Sequence, residues 1–310
     1  MVFIMKAKIS NTSKINTLFS QYLKFIDYSQ TPFPNNIKIT TKDIIYGSGD
    51  KQNGAVGMLQ LLENNAYRFE FIIDKNALEY NDTFKSALYH EFTHVMDDVV
   101  LNKSDDYEDY FKTFNCASEI RASYIQYLVE TGSNSISDFS VSQNYKIIDC
   151  DFTEKPIPIE LLPIAYQDYL INLLSNSKEI EFYELLHRNV CYYIGFCRCI
   201  ERKLNITVDH SKVIDAYSNF FGESFKDIIL YGYKIDLGFD GTIIENFLPL
   251  YNAVENCSHF HHSQKLQNIK DEKEQVLKRI EQMKHYTELL EKKEITFEEY
   301  EEIKKRLMSF

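Results

Sequence analysis

The stretch His90-Glu91-Phe92-Thr93-His94 sits inside Thr83–Val100, where Ala87, Leu88, Phe92, Val95 and Val99 repeat at helical spacing. Residues four apart on a helix share a face. His90 and His94 therefore aim two imidazoles at one point, the geometry that a zinc ion requires. Glu91 lies one residue round the helix from His90, where it reaches a water on such an ion without binding the ion itself. Asn81-Asp82 supplies a start signal for this helix.

A catalytic zinc takes three protein ligands and keeps one position open for water. The segment Tyr107–Glu130 reads as a second helix, turned back by the polar loop Asn102–Asp106, so that Glu119 can face the first helix and complete the ligand set. Asp97, Asp98, Glu108 and Asp109 are rival carboxylates near the same place in sequence, and an exposed helix carboxylate is the plainer reading of Glu119. The H-E-x-x-H spacing with Glu as general base is the arrangement used by zinc peptidases.

With these residues the chain resembles the gluzincin branch of zinc metallopeptidases, which take His, His and then Glu from a following helix. The motif helix looks like that of thermolysin-type enzymes. Ala117-Ser118-Glu119-Ile120-Arg121-Ala122 is similar to the third-ligand helix of compact, minimal gluzincins. The resemblance covers about residues 55–130. It implies one Zn2+ per chain on His90, His94 and Glu119, and peptide-bond hydrolysis with Glu91 as general base. It also suggests a regulatory role, since bacterial minimal gluzincins often clip a repressor or act in stress, phage or defence responses. One departure stands out: thermolysin-like enzymes often carry an Asp four residues after the ligand Glu, and this chain has Ser123 there. Asp97 or Asp98 is left as a partner for a ligand imidazole, without assignment.

Such catalytic domains place a small sheet before the motif helix. Here Ala55–Leu62 is an apolar run, Glu63–Ala66 a turn cluster, and Tyr67–Ile73 an alternating run that ends wholly apolar, which together signal a hairpin. Earlier strands are expected at Asn36–Thr41 and Ile44–Tyr46. An edge strand of such a sheet can pair an extended peptide by strand addition.

Two large features bound the remaining possibilities. A chain of 310 residues with 44% hydrophobic content is long enough for one large or two ordinary domains around a packed core. A net charge of −12 with no strong basic patch argues against nucleic acid as a partner. No apolar stretch is long enough to span a bilayer, and Met1–Lys8 lacks the apolar core of a secretory signal. Cys197 and Cys199 point apart on a helix, so the cysteines read as buried thiols, and a cytoplasmic location is expected.

From about residue 160 to 256 the pattern is helical, with helices expected at Glu160–Ser175, Ile180–Leu204, Ser211–Phe220 and Phe225–Leu230. In thermolysin-like enzymes a His from such a helical domain stabilises the oxyanion. The resemblance offers His210 for that task, against the plainer reading of a surface His near a helix start. Cys257-Ser258-His259-Phe260-His261-His262 reads as a solvated linker, with adventitious metal binding as the alternative.

Beyond it, Lys265–Lys293 is a charged helix in which Ile269, Val276, Met283 and Leu290 repeat every seventh residue, a short and imperfect coiled-coil stripe. Thr296-Phe297-Glu298-Glu299 is a capping box that opens another helix. This end resembles the SHOCT module, a C-terminal helical hairpin of many unrelated bacterial proteins. That implies assembly into a homo-oligomer or onto a partner protein rather than catalysis, against the plainer reading of a solvated amphipathic tail folding back on its own domain.

The expected fold is therefore α+β: a zincin-like catalytic domain over 1–150, a helical domain over 151–262 completing a cleft, and a helical tail over 263–310. The expected function is an intracellular zinc endopeptidase acting on a protein or peptide substrate, with a narrow protein target. An inactive scaffold of the same fold, assembling through its C-terminal helices, is the alternative.

Overall fold

The computed structural model describes residues 11–42, 57–61, 69–79, 84–101, 107–141, 147–148, 157–176, 182–239 and 247–308. Compact packing divides the chain into Met1–Cys257 and Ser258–Phe310, so the expected boundary near residue 150 falls inside the first unit.

Helix α1 (Asn11–Phe25) opens the described chain and has no counterpart among the expected elements. Its Ile15, Leu18, Phe19, Tyr22 and Leu23 recur at three and four and are buried. Strands β1 (Ile37–Lys42), β2 (Gly57–Leu61) and β3 (Phe69–Asp74) form a sheet in the order β1-β3-β2. β2 and β3 are the expected antiparallel pair, with Leu59 opposite Phe71, while β1 runs parallel to β3. The expected strand Ile44–Tyr46 and the turn Glu63–Ala66 lie outside the described residues.

After α2 (Lys75–Glu79) comes the motif helix α3 (Lys85–Val95), which runs on into a π-helical turn at Met96–Leu101. The start signal Asn81-Asp82 lies outside the described residues. α4 (Tyr107–Glu130) has the bounds expected of the second helix and packs along α3. Phe92, on the face of α3 away from the histidines, is fully buried among the rings of Phe19, Tyr22, Phe33 and Phe71, with centroids 5.4–6.3 Å away. Tyr22 OH donates to Thr93 Oγ1 at 3.0 Å, tying α1 to the same helix. Aromatic burial of this kind fixes the helix rotation, and with it the direction of the two imidazoles.

The second half is helical, as expected. Strands β4 (Ile147–Ile148) and β5 (Ile157–Pro158) pair as a two-stranded ladder. α5 (Leu162–Asn176), α6 (Phe182–Leu185), a π-helical turn at Leu186–Cys191, α7 (Tyr192–Leu204), α8 (Ser211–Phe221) and α9 (Phe225–Gly232) follow. Their core includes Ile120, Tyr193, Phe196, Tyr217 and Phe225. α4 and α7 cross at Gly195, where an added Cβ would lie 2.5 Å from Ile120 O. The five described cysteines are buried and free.

α10 (Phe247–Glu291) makes residues 257–262, where the two units divide, helical rather than an irregular linker; Cys257 is buried, and His259 and His262 are exposed on the helix surface. Pro249 fits in the first turn of this helix, where a missing N–H costs nothing. In the second unit α11 (Phe297–Met308) returns after a turn at Lys292–Glu294. Its capping box forms as expected: Thr296 N–H donates to Glu299 Oε2 at 2.8 Å and Glu299 N–H to Thr296 Oγ1 at 3.2 Å. Ile269 and Val276 of the heptad stripe are about half exposed. Among the described residues no helix is long and apolar enough to cross a membrane.

Candidate metal centre

Two helices supply the site. His90 and His94 are one α-helical turn apart on α3, and Glu119 faces them from α4. His90 Nε2 lies 3.1 Å from His94 Nε2 and 3.5 Å from Glu119 Oε2, and His94 Nε2 lies 3.7 Å from Glu119 Oε1. His90 is 4% exposed and His94 9%. Among the described residues these three form the one group of His, Cys, Asp or Glu donors close enough to share an ion. Of the rival carboxylates, Asp97 is used otherwise, Asp98 is not part of the group, and the side chains of Glu108 and Asp109 lie outside what is described.

The spacing fits a small divalent cation. Donors that each sit about 2.0–2.2 Å from one ion cannot be more than about 4.4 Å apart. The separations of 3.1, 3.5 and 3.7 Å all fall below that limit. Two imidazole nitrogens facing each other at 3.1 Å with lone pairs repel unless a cation or a proton lies between them. Burial pushes His90 towards its neutral form, but the facing Glu119, with Glu91 and Glu130 beyond it, outweighs burial and leaves the imidazole raised above its ordinary value.

Glu91 is half-buried beside His90. Burial pushes its carboxyl up to about 8, with His90 pulling down and Glu119 pushing further up. A carboxyl held near neutral pH can both take and return a proton.

The partners behind the imidazoles are ones the sequence left unassigned. His94 Nδ1 lies 2.8 Å from Ser118 Oγ, which in turn donates to Asp97 Oδ2 at 2.9 Å. Asp97 Oδ1 is 3.4 Å from Arg121 Nη1, and both side chains are 1% exposed. The Arg121 guanidinium lies 4.1 Å from the Phe239 ring centroid. Burial pushes Asp97 up to about 6 against the pull of Arg121 and Ser118. Ser123, at the position where the resemblance leads one to look for an Asp, is fully buried with its hydroxyl unpartnered. His90 Nδ1 is likewise buried without a hydrogen-bond partner.

Tyr192, the first residue of α7, reaches the same point, with its OH 3.1 Å from His90 Nε2. Nothing in sequence separates it from the other tyrosines of a chain that has 22 of them. His210 is not brought into this group. Its Nδ1 is 2.6 Å from Tyr193 OH, its ring packs on Tyr233 at 4.8 Å, and burial pulls its imidazole down to about 4. It is therefore neutral at pH 7 and held in a separate polar cluster with Gln167, which donates to Tyr193 OH at 2.9 Å.

No protein-family model, curated protein or solved structure matches this chain.

Proposed function

We propose that this chain is a zinc-dependent metallopeptidase with a zincin-like catalytic core, cutting within a protein substrate. The observation that carries the reading is the convergence of His90 Nε2, His94 Nε2 and a Glu119 carboxylate oxygen, with Glu91 beside His90. Thiolate, imidazole and carboxylate ligands divide metals by softness, and two imidazoles with one carboxylate suit zinc. Bound there, zinc supplies Lewis acidity towards a peptide carbonyl and makes a water acidic enough to attack near pH 7.

The chain's own residues do the rest. Glu91 takes the proton from the attacking water and passes it to the departing amine, the task for which a carboxyl poised near neutral pH is suited. Tyr192 OH donates a hydrogen bond to the developing oxyanion. Among the described residues β2 is an edge of its sheet and it contacts α3, so an extended peptide can add to it as a further strand on the motif helix's sheet. A single intracellular protein target, rather than broad digestion, is the substrate class favoured by the resemblance to minimal gluzincins.

The test compares Glu91→Gln with the wild type in lysate of the producing cell, reading new protein N-termini by mass spectrometry alongside bound zinc. The proposal expects zinc in both proteins and new termini, few in number, with the wild type only. Equal cleavage by Glu91→Gln rules out the base, and zinc without cleavage by either protein favours the scaffold alternative.

A further inference from the structure

We propose that Asp97 orients the metal ligand His94 at one remove, through the hydroxyl of Ser118, and that Arg121 holds Asp97 in place for this. The inference rests on the metal-site reading above and adds to it two positioning residues and an anchor.

The direction of the hydrogen bonds follows from the groups present. A carboxylate facing a guanidinium only accepts, so Ser118 Oγ–H must donate to Asp97 Oδ2 across 2.9 Å. A hydroxyl has one proton to give. Having given it to Asp97, Ser118 can only accept from His94 Nδ1–H across 2.8 Å. His94 is thereby fixed in the Nδ1–H tautomer, and its lone pair sits on Nε2, the atom that faces His90 and Glu119. Orientation of a metal-binding imidazole by a carboxylate is a general need. Here a serine bridges the gap, while Ser123 offers no carboxylate and makes no such contact.

The helix periods place all the parts. His90, His94 and Asp97 recur at four and three along the end of α3 and the π-helical turn after it, so they share one face. Ser118 and Arg121 are three apart on α4, with Glu119 between them. One turn of α4 therefore supplies a metal ligand, the bridge and the anchor, and both imidazole orientation and ligand placement depend on the same two-helix contact. Ser118 is 2% exposed and Asp97 and Arg121 1%, so the relay is shielded from bulk water. Arg121 is further pinned by Phe239.

The test reads the His94 tautomer and metal affinity separately. Nitrogen-15 NMR of the metal-free wild type should show His94 in the Nδ1–H form. Ser118→Ala should lose that preference and bind Zn2+ and Co2+ about 10–100-fold more weakly, with Co2+ absorption bands shifted. Ser118→Thr, which keeps the hydroxyl, should restore both. A wild-type His94 in the Nε2–H form overturns the relay, whether or not the variants fold. So does a Ser118→Ala protein with wild-type affinity and tautomer. A wild type that shows the Nδ1–H form yet takes up neither metal leaves the relay standing and removes the metal reading instead.

Discussion

Replacing Gly195 by Ala tests how far the site depends on a helix crossing that contains no ligand. A Cβ at Gly195 would lie 2.5 Å from Ile120 O, 2.8 Å from Ser123 Cβ and 2.8 Å from Tyr124 N. Ordinary contact begins at 3.4 Å, so the worst approach is too short by about 0.9 Å. Two of the three atoms are backbone, and no rotamer change moves them. α4 and α7 must therefore separate by a large part of that distance. Overpacking of this kind costs about 3 kcal/mol, which in a unit of this size lowers Tm by roughly 6–12 °C. Glu119 directly precedes Ile120, and Tyr192 lies on α7, so both groups shift relative to the histidines. Metal–donor distances are held to about 0.2 Å, so zinc affinity should fall together with stability. Thermal melting of the metal-free protein and zinc titration against a chromophoric chelator read the two effects. Gly232→Ala is the control, because the atoms nearest its added Cβ are side-chain methyls of Ile194 and Ile120 rather than backbone, the shortest at 2.9 Å, and it should cost less. A Gly195→Ala protein within about 0.5 kcal/mol of the wild type and with unchanged zinc affinity would show that the α4–α7 crossing does not govern the site.

Tyr192→Phe removes one hydroxyl from the site and should lower kcat by about 100-fold while leaving zinc affinity near that of the wild type. A large loss of zinc with unchanged turnover would instead make Tyr192 part of the metal's own surroundings. His210 carries a pH prediction. Its imidazole is held near 4 in the folded chain and returns to about 6.5 on unfolding, so its contribution to stability is complete above 6.5 and is lost as pH falls towards 4. That loss is at most roughly 3 kcal/mol, and smaller because the ring is only partly buried. Urea melts between pH 7 and 4 should slope less for His210→Gln than for the wild type; parallel slopes would contradict the assignment.

The parts of this fold that are legible in sequence are the local ones. α4 ends where its pattern ends, the β2–β3 pair follows from a turn between two apolar runs, and the Thr296 box caps α11. Glu119 could be chosen because an ion between two helices needs a ligand from the second. α1 was also legible, since Ile15, Phe19, Tyr22 and Leu23 carry the helical stripe, but nothing chemical drew attention to it. The parallel pairing of β1 with β3 is a long-range choice that no local signal encodes. The same holds for the bond from Tyr192 to His90, which spans 102 positions. Ser118 escaped notice because a serine beside a ligand is an unremarkable residue until its hydroxyl is seen between His94 and Asp97. That the tract His259–His262 is helical is not legible, because polar residues on an exposed helix and in a linker look alike in composition.

The proposed function requires one zinc ion between His90, His94 and Glu119. X-ray absorption at the zinc edge, on protein in which His259, His261 and His262 are replaced by Ala, measures it most directly. One zinc per chain is expected, with two imidazole nitrogens at about 2.0–2.1 Å and oxygen donors at about 2.0–2.2 Å, and loss of one of those oxygens in Glu119→Ala. A chain that retains no zinc once the surface tract is gone, or a zinc shell unaltered by Glu119→Ala, would contradict it.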